Sequence, residues 1–144
     1  YFVLSKSISI INKQINLIIE NFVPFRISIE TDDITKDLTI NMLYEDGTSG
    51  PIEAASGMEK TISSIAIRAA LTKISNLPKC NILILDEFAS TLDPKYIGSI
   101  DMMLNYLKAM FDTVLLITLS QEIKDMTDIQ INVVKEDGYS KLII

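Results

Sequence analysis

The first hydrophobic pattern along the chain is a stripe with the spacing of a helix. Its members, three or four residues apart, are Leu4, Ile8, Ile11, Ile15, Ile18 and Phe22. This spacing places them on one helix face and also fits a heptad repeat of about three heptads. Pro24 ends the helix because proline lacks the amide that the next turn needs. Residues 1–23 are therefore predicted to be either the end of a coiled coil or an amphipathic helix with one buried face.

Two segments with alternating apolar and polar residues follow the helix. Residues 25–30 and 38–44 alternate as half-buried strands do, and Glu45-Asp46-Gly47 after the second has the composition of a turn. We expect the two strands to pair as an antiparallel hairpin or meander. Residues 47–55, which contain two glycines and a proline, are predicted to form a loop.

Wholly apolar strands alternate with helices in the second half of the chain. Residues 82–85 and 114–117 have no polar face and alternate with helices, which indicates a parallel sheet covered on both sides. Helices are predicted at 56–75, 95–110 and 121–126, and a closing hairpin at 129–144. The predicted fold class is therefore α/β, with a mostly parallel sheet flanked by helices.

Composition narrows the possible classes of protein. Of the 144 residues 48% are hydrophobic, which indicates either a surface that another segment covers or simply an isoleucine-rich chain. No apolar run approaches the ~20 residues of a membrane helix, and we expect a cytoplasmic protein without membrane contact. The net charge is −6 and the basic residues are scattered, which argues against an autonomous nucleic-acid surface. Cys80 precedes an apolar strand and is expected to be buried, and a chain that begins at Tyr1 is expected to be a fragment.

The segment Ser56-Gly57-Met58-Glu59 begins the long helix and has the pattern of a capping box. Its simplest meaning is a stable helix end. The same helix start is also suited to an anion, because unpaired amide groups and the positive end of the helix dipole face whatever lies in front of it. The missing side chain of Gly57 would let a phosphate approach closely.

Two acids end the first apolar strand, and a third follows seven residues after the first. Adjacent strand residues point to opposite sides, so Asp86 and Glu87 are expected to have different roles. Asp86 suits a Mg²⁺ site and Glu87 suits a base that orients a water, unless the strand simply ends at solvent. Asp93, in Ser90-Thr91-Leu92-Asp93-Pro94, reads by itself as the cap of the next helix.

The order and spacing of these three elements resemble the ATP-binding cassette (ABC) family. Residues 56–59 resemble its signature motif, residues 82–87 its Walker B strand with the catalytic glutamate, and residues 90–93 its D-loop. Within that family the chain resembles the SMC (structural maintenance of chromosomes) branch, and more closely the SbcC-type ATPase of the double-strand-break exonuclease. The lead-in helix, Lys60 and the ending Asp137-Gly138-Tyr139-Ser140-Lys141 are similar to phage and viral members.

The resemblance implies a fold, cofactors and partners. Residues 24–144 would be the C-terminal lobe of an ATPase head, with ATP and Mg²⁺ as cofactors. The signature residues Ser56, Gly57, Met58 and Glu59 would bind nucleotide across a dimer of heads, and Asp93 would touch the opposite head. Asp86 would support Mg²⁺, and Glu87 would be the catalytic residue that orients water. The implied partners are the N-terminal half of the same head, a second head, an SbcD-type (Mre-type) nuclease subunit, and DNA through the assembled complex.

Three departures from the family pattern qualify this expectation. The chain contains no Gly-x-x-x-x-Gly-Lys-Ser/Thr loop, so it needs another segment to bind ATP productively. Met58 replaces a signature glycine, and Leu119 stands where the family has a switch histidine. A degenerate, non-catalytic head half that dimerises is therefore the alternative. A transporter ATPase is a third possibility, which the heptad-like lead-in disfavours. Arg68, on the signature helix, either couples ATP state to neighbouring structure or is a solvated charge.

Overall fold

The computed structural model describes residues 2–32, 35, 37–76, 78, 80–88 and 94–143. Its helices are α1 (Phe2–Ile19), α2 (Gly57–Ile74), α3 (Ile97–Met110) and α4 (Gln121–Lys124). Its strands are β1 (Phe25–Thr31), β2 (Leu38–Tyr44), β3 (Ser49–Pro51), β4 (Ile82–Asp86), β5 (Thr113–Ile117), β6 (Asn132–Glu136) and β7 (Tyr139–Ile143). The predicted α/β class is confirmed.

The strands form three separate sheets within the described residues. β1, β2 and β3 form an antiparallel meander, β4 pairs with β5 in parallel, and β6 pairs with β7 in a hairpin. Among the described residues parallel pairing thus occurs only between β4 and β5, which α3 connects, whereas the predicted sheet was mostly parallel. Short turns such as Asp137-Gly138, where both residues have positive φ, can join only antiparallel strands.

The predicted loop at 47–55 contains β3 and a 3-10 turn at Ile52–Ala54. The Asp46 carboxylate accepts hydrogen bonds from the amide and the hydroxyl of Thr48, at 2.9 and 2.6 Å. Gly47, at φ +84°, lets the chain reverse within this turn. The reversal brings residues 49–51 back onto β2, and Pro51 is tolerated because β3 is an edge strand.

The hydrophobic core is one cluster of buried side chains to which α1, α2, α3 and the meander contribute. α1 packs against both α2 and β1. The fully buried side chains include Ile15, Ile19, Ile27, Met42, Ile62, Ile100 and Leu107. Of the predicted stripe on α1, Ile11, Ile15 and Ile18 face this core and Ile8 is also buried, so the helix is amphipathic. Its continuation into a coiled coil stays a prediction.

The parallel pair β4–β5 is covered on one face only. Leu85 is buried on the covered face. On the other face Ile82, Ile84, Leu115 and Ile117 are 44–54% exposed. The described residues therefore supply the predicted cover for one face of this pair, because an apolar pattern does not say which segment covers each face. Cys80, expected to be buried, is exposed at the approach to β4.

Candidate phosphate and metal site

The capping box predicted at the start of α2 is present. The amide of Glu59 donates to Ser56 Oγ at 3.3 Å, and the amide of Ser56 donates to Glu59 Oε2 at 2.8 Å. Ser56 has extended backbone angles (φ −63°, ψ 159°), as an N-cap residue does before a helix. The two reciprocal bonds fix the Ser56 side chain relative to the first turn of α2.

The capping box does not use all the hydrogen-bond donors at the start of α2. Ser56 Oγ acts in it only as an acceptor, so its O–H remains able to donate. The amides of Gly57 and Met58 precede the first intrahelical bond, which joins the Lys60 amide to the Ser56 carbonyl at 3.0 Å. One hydroxyl and two amides at the positive end of an 18-residue helix can bind an anion such as phosphate.

Met58 contributes to this helix start through its backbone and not its side chain. Its side chain is 5% exposed and belongs to the same core cluster as Ile62. A methionine is therefore accommodated at a position where the signature motif that these residues resemble has glycine, because the side chain points into the core. The predicted nucleotide contact of Met58 reduces to its amide group.

Tyr44, at the end of β2, is a residue near this site that the sequence did not single out. The pKa of Tyr44 is raised above its ordinary value, chiefly because the side chain is partly buried. The neighbouring Glu59 carboxylate raises this pKa further through its charge and a hydrogen bond. The Tyr44 ring also makes an edge contact with Phe25, with centroids 6.4 Å apart. Tyr44 thus connects the capping box to the meander. The sequence feature that could have pointed to Tyr44 was its position at the end of a predicted strand.

Asp86 and Glu87 lie at the carboxyl end of β4, as predicted. Asp86 is the last residue of the strand, opposite Ile117 of β5, and both acids are exposed. Glu87 has φ +49°, a left-handed conformation that costs free energy for any residue with a side chain. The next side chain, Phe88, is 3% exposed and fixes the chain in the core. The turn therefore holds an exposed acid in a strained backbone, which is a frequent property of functional sites.

The carboxylates at this strand end suit Mg²⁺ better than a metal ion whose ligands are all protein side chains. Among the described residues no group of three or more His, Cys, Asp or Glu side chains could hold a metal ion. Mg²⁺ usually takes one or two carboxylates and fills its other positions with water and phosphate oxygens. Asp86 can supply one such carboxylate. Asp93 and the rest of residues 89–93, where the D-loop was predicted, lie outside the described residues.

The segment after β5 lies at the same edge of the sheet as Asp86 and Glu87. Leu119 there is 97% exposed. Ser120 beside it caps α4, accepting from the Ile123 amide at 3.4 Å, while its own amide donates to Thr118 Oγ1 at 3.1 Å. The backbone around Leu119 is thus held by its neighbours although its side chain packs against almost nothing. Arg68, on α2, is also exposed.

Comparison with known proteins gives the class of this fold. No protein-family model matches the chain. An SMC ATPase studied for ATP-driven dimerization and DNA-stimulated activation is similar in structure, at TM-score 0.79 and 21% identity, over 98% of this chain and 86% of that one. A Pyrococcus furiosus Smc head domain, with an extended coiled coil and bound to the C-terminal domain of ScpA, has TM-score 0.75 and 20% identity, over 98% and 36%. The chain has the fold of SMC head domains.

In sequence the chain is similar to a viral protein. It is 30% identical, over 157 aligned positions, to an uncharacterized protein of Acanthamoeba polyphaga mimivirus, and these positions span 99% of this chain. They span only 12% of that protein, so the chain corresponds to a small part of its relative. None of the helices in the described parts of the chain is long and apolar enough to cross a membrane.

Proposed function

We propose that this chain is the C-terminal lobe of an ATP-hydrolysing head in an SMC-like protein of DNA repair or recombination. The observation that carries the proposal is Glu87, held in a left-handed backbone beside Asp86 at the carboxyl end of a parallel strand. An SMC-head fold and a capped helix start with free donors support the same function. ATP and Mg²⁺ are the proposed cofactors.

Ser56 and Gly57 would act on the nucleotide of a second head. The Ser56 hydroxyl would donate to a terminal phosphate oxygen, and the amides of Gly57 and Met58 would contact the same phosphate. Glu59 would hold Ser56 in place through the capping box. Because α2 is anchored in the core, these donors are fixed before the second head arrives, which lowers the entropy cost of binding.

Asp86 and Glu87 would act on the nucleotide of their own head. Bound Mg²⁺ would neutralise phosphate charge, and the Asp86 carboxylate would hold it, directly or through water. The Glu87 carboxylate would accept a hydrogen bond from the attacking water and orient it toward the phosphorus. Both acids are exposed, as this division of roles requires.

Other segments would complete the head. An N-terminal half would bring the phosphate-binding loop with its lysine and would cover the open face of β4–β5, where Ile84 and Leu115 are exposed. A second head would complete the dimer, and an SbcD-type nuclease subunit would act with the assembled complex on DNA. The similarity to a mimivirus protein supports a viral type of this ATPase, acting in the cytoplasm.

A non-catalytic head half is the second candidate function, and Leu119 favours it. A leucine at the end of β5 cannot donate a hydrogen bond to a phosphate oxygen. Such a head would dimerise on ATP and serve as a scaffold or clamp for a nuclease without turning over. The two functions share the fold and the phosphate donors, and they differ only in hydrolysis.

Glu87→Gln tests the proposed function in a complete head, assembled from this chain and the half that carries the phosphate-binding loop. Turnover is expected to fall by about 10²–10⁴-fold, because glutamine cannot act as a base. Dimerisation with ATP is expected to persist, since glutamine keeps the size and polarity of the side chain. Phosphate release and light scattering measure the two properties.

The control is Glu122→Gln, an exposed acid in α4 whose loss should change neither property. Turnover that survives Glu87→Gln would contradict the catalytic role of Glu87. ATP-dependent dimers with no turnover in the unchanged protein would favour the scaffold. A complete head that neither binds ATP nor dimerises would contradict both functions.

A further inference from the structure

The strand β1 lies at one edge of the meander and, in the part of the chain that the structure describes, has only β2 as a strand neighbour. In an antiparallel pair, the backbone groups of alternate residues point toward the partner strand and those between them point away. An edge strand therefore presents a row of outward amides and carbonyls that can recruit another strand. The outward residues of β1 include Ile27 and Ile29, since side chains of α1 bind their amides and carbonyls.

Two asparagines of α1 bind these outward groups in the same manner. Asn12 Nδ2 donates to the Ile29 carbonyl at 2.9 Å, and the Ile29 amide donates to Asn12 Oδ1 at 2.8 Å. Asn16 Nδ2 donates to the Ile27 carbonyl at 2.7 Å, and the Ile27 amide donates to Asn16 Oδ1 at 2.9 Å. Each carboxamide thus offers one acceptor and one donor, as the peptide group of a neighbouring strand would.

The spacing of Asn12 and Asn16 along α1 matches the spacing of Ile27 and Ile29 along β1 because of ordinary helix and strand geometry. Residues four apart on a helix are separated by ~6 Å along its axis. Residues two apart on a strand are separated by ~6.6–6.8 Å. Asn12 and Asn16 can therefore bind Ile29 and Ile27 at once, with α1 running antiparallel to β1. Asn16 Nδ2 also donates to the Asn12 carbonyl at 2.8 Å, which further fixes its carboxamide.

We propose that Asn12 and Asn16 form a register lock, which closes the edge of β1 and allows α1 one axial position on the sheet. A shift of α1 by one turn would bring Ile8 or Glu20 to one of the two positions. Isoleucine cannot form either bond, and a carboxylate accepts but cannot donate. A shifted helix would therefore leave a strand amide or carbonyl without its partner. A force along α1 consequently moves β1 with it. The proposal concerns the fold and is independent of ATP hydrolysis.

Residue-resolved hydrogen exchange of the native protein tests the lock. Asn12→Leu should speed exchange of the Ile29 amide by at least about tenfold and leave Ile27 nearly unchanged, because only the Ile29 amide loses its acceptor. Asn16→Leu should do the reverse. Asn12→Asp should keep Ile29 protected, because the carboxylate still accepts from its amide. These selective changes would support the lock.

Asn105→Leu, which replaces an exposed asparagine on α3, is the matched control and should alter neither amide. A uniform rise in exchange across β1 and β2 would indicate general destabilisation and would overturn the proposal. Unchanged exchange at Ile29 in Asn12→Leu would overturn it as well. If the leucine variants fail to fold, the Asn12→Asp pattern decides: loss of Ile29 protection in that variant contradicts the lock.

Discussion

The start of α2 and the carboxyl edge of β4–β5 are built in contrasting ways. At α2 the polar groups bond to one another, and the adjoining side chains of Met58 and Ile62 are buried in the core. At the sheet edge Asp86, Glu87 and Leu119 are exposed, and the open face of the sheet reaches the same edge.

The difference indicates where each region obtains its order. The helix start is organised by this chain alone, so a change there should affect stability as well as ligand binding. The side chains of the sheet edge are exposed, so changes there should affect chemistry while the fold stays nearly constant. Four substitutions separate these two behaviours.

Met58→Ala should have the largest effect on stability. Removing a buried methionine side chain costs ~2–5 kcal/mol, because apolar contacts are lost and a cavity remains. Urea unfolding measures the change. Met58→Leu, which conserves volume, should cost less than ~1.5 kcal/mol and leave ATP-dependent dimerisation of the complete head intact. A small effect of both substitutions would mean that the helix start is not anchored as described.

Ser56→Ala should destabilise the protein by ~1 kcal/mol, within a range of ~0.5–2, since the helix loses its N-cap acceptor. It should also weaken ATP-dependent dimerisation, because the hydroxyl donor is removed. Ser56→Gly separates the two effects: glycine costs only a few tenths of a kcal/mol as a cap but also lacks the donor. Normal dimerisation of Ser56→Gly would argue against the phosphate contact.

Glu87→Gly should raise the free energy of unfolding by ~0.5–1 kcal/mol. Glycine relieves the strain of φ +49°, and its greater freedom in the unfolded chain offsets part of this gain. The same substitution should abolish turnover of the complete head. Asp137→Gly, at φ +52° in the β6–β7 turn, is the matched control. It should also raise the free energy of unfolding but leave turnover unchanged. A less stable Glu87→Gly protein would mean that contacts of the Glu87 side chain outweigh the backbone strain.

Leu119→His should have the smallest effect on stability, within ~0.5 kcal/mol, because Leu119 is 97% exposed. In the complete head it should raise turnover by about 10- to 100-fold, since a hydrogen bond to a charged group contributes ~1.5–3 kcal/mol. Phosphate release measures this change, with Leu119→Gln as a polar control. An unchanged rate would count against the role assigned to this position.

Much of the fold could be predicted from local patterns. The strand at 38–44, the Ser56 cap and the end of β4 at Asp86 lie where the sequence places them. These features depend on alternation, on cap chemistry and on apolar runs, all of which are local. The short strand β3 could not be predicted, because it depends on a turn at Asp46 and Gly47 that returns the chain to β2.

The site was predictable in its residues and not in its geometry. Nothing local indicates that the Met58 side chain turns into the core or that Glu87 has a positive φ. Asn12 and Asn16 appear in the sequence as polar residues of a helix face, because their partners are backbone groups of another element. The cover of β4–β5 was unpredictable for a similar reason, since an apolar strand does not identify the chain that packs on it.

The exposure of Leu119 also has an evolutionary consequence. A side chain that contacts almost nothing in its own lobe can be exchanged without loss of folding, and so can vary from generation to generation at little cost. Selection on this position therefore reflects what approaches it from outside the lobe. On the proposed function, a substitution at this position would change the activity of the assembly while the stability of this chain stays nearly constant.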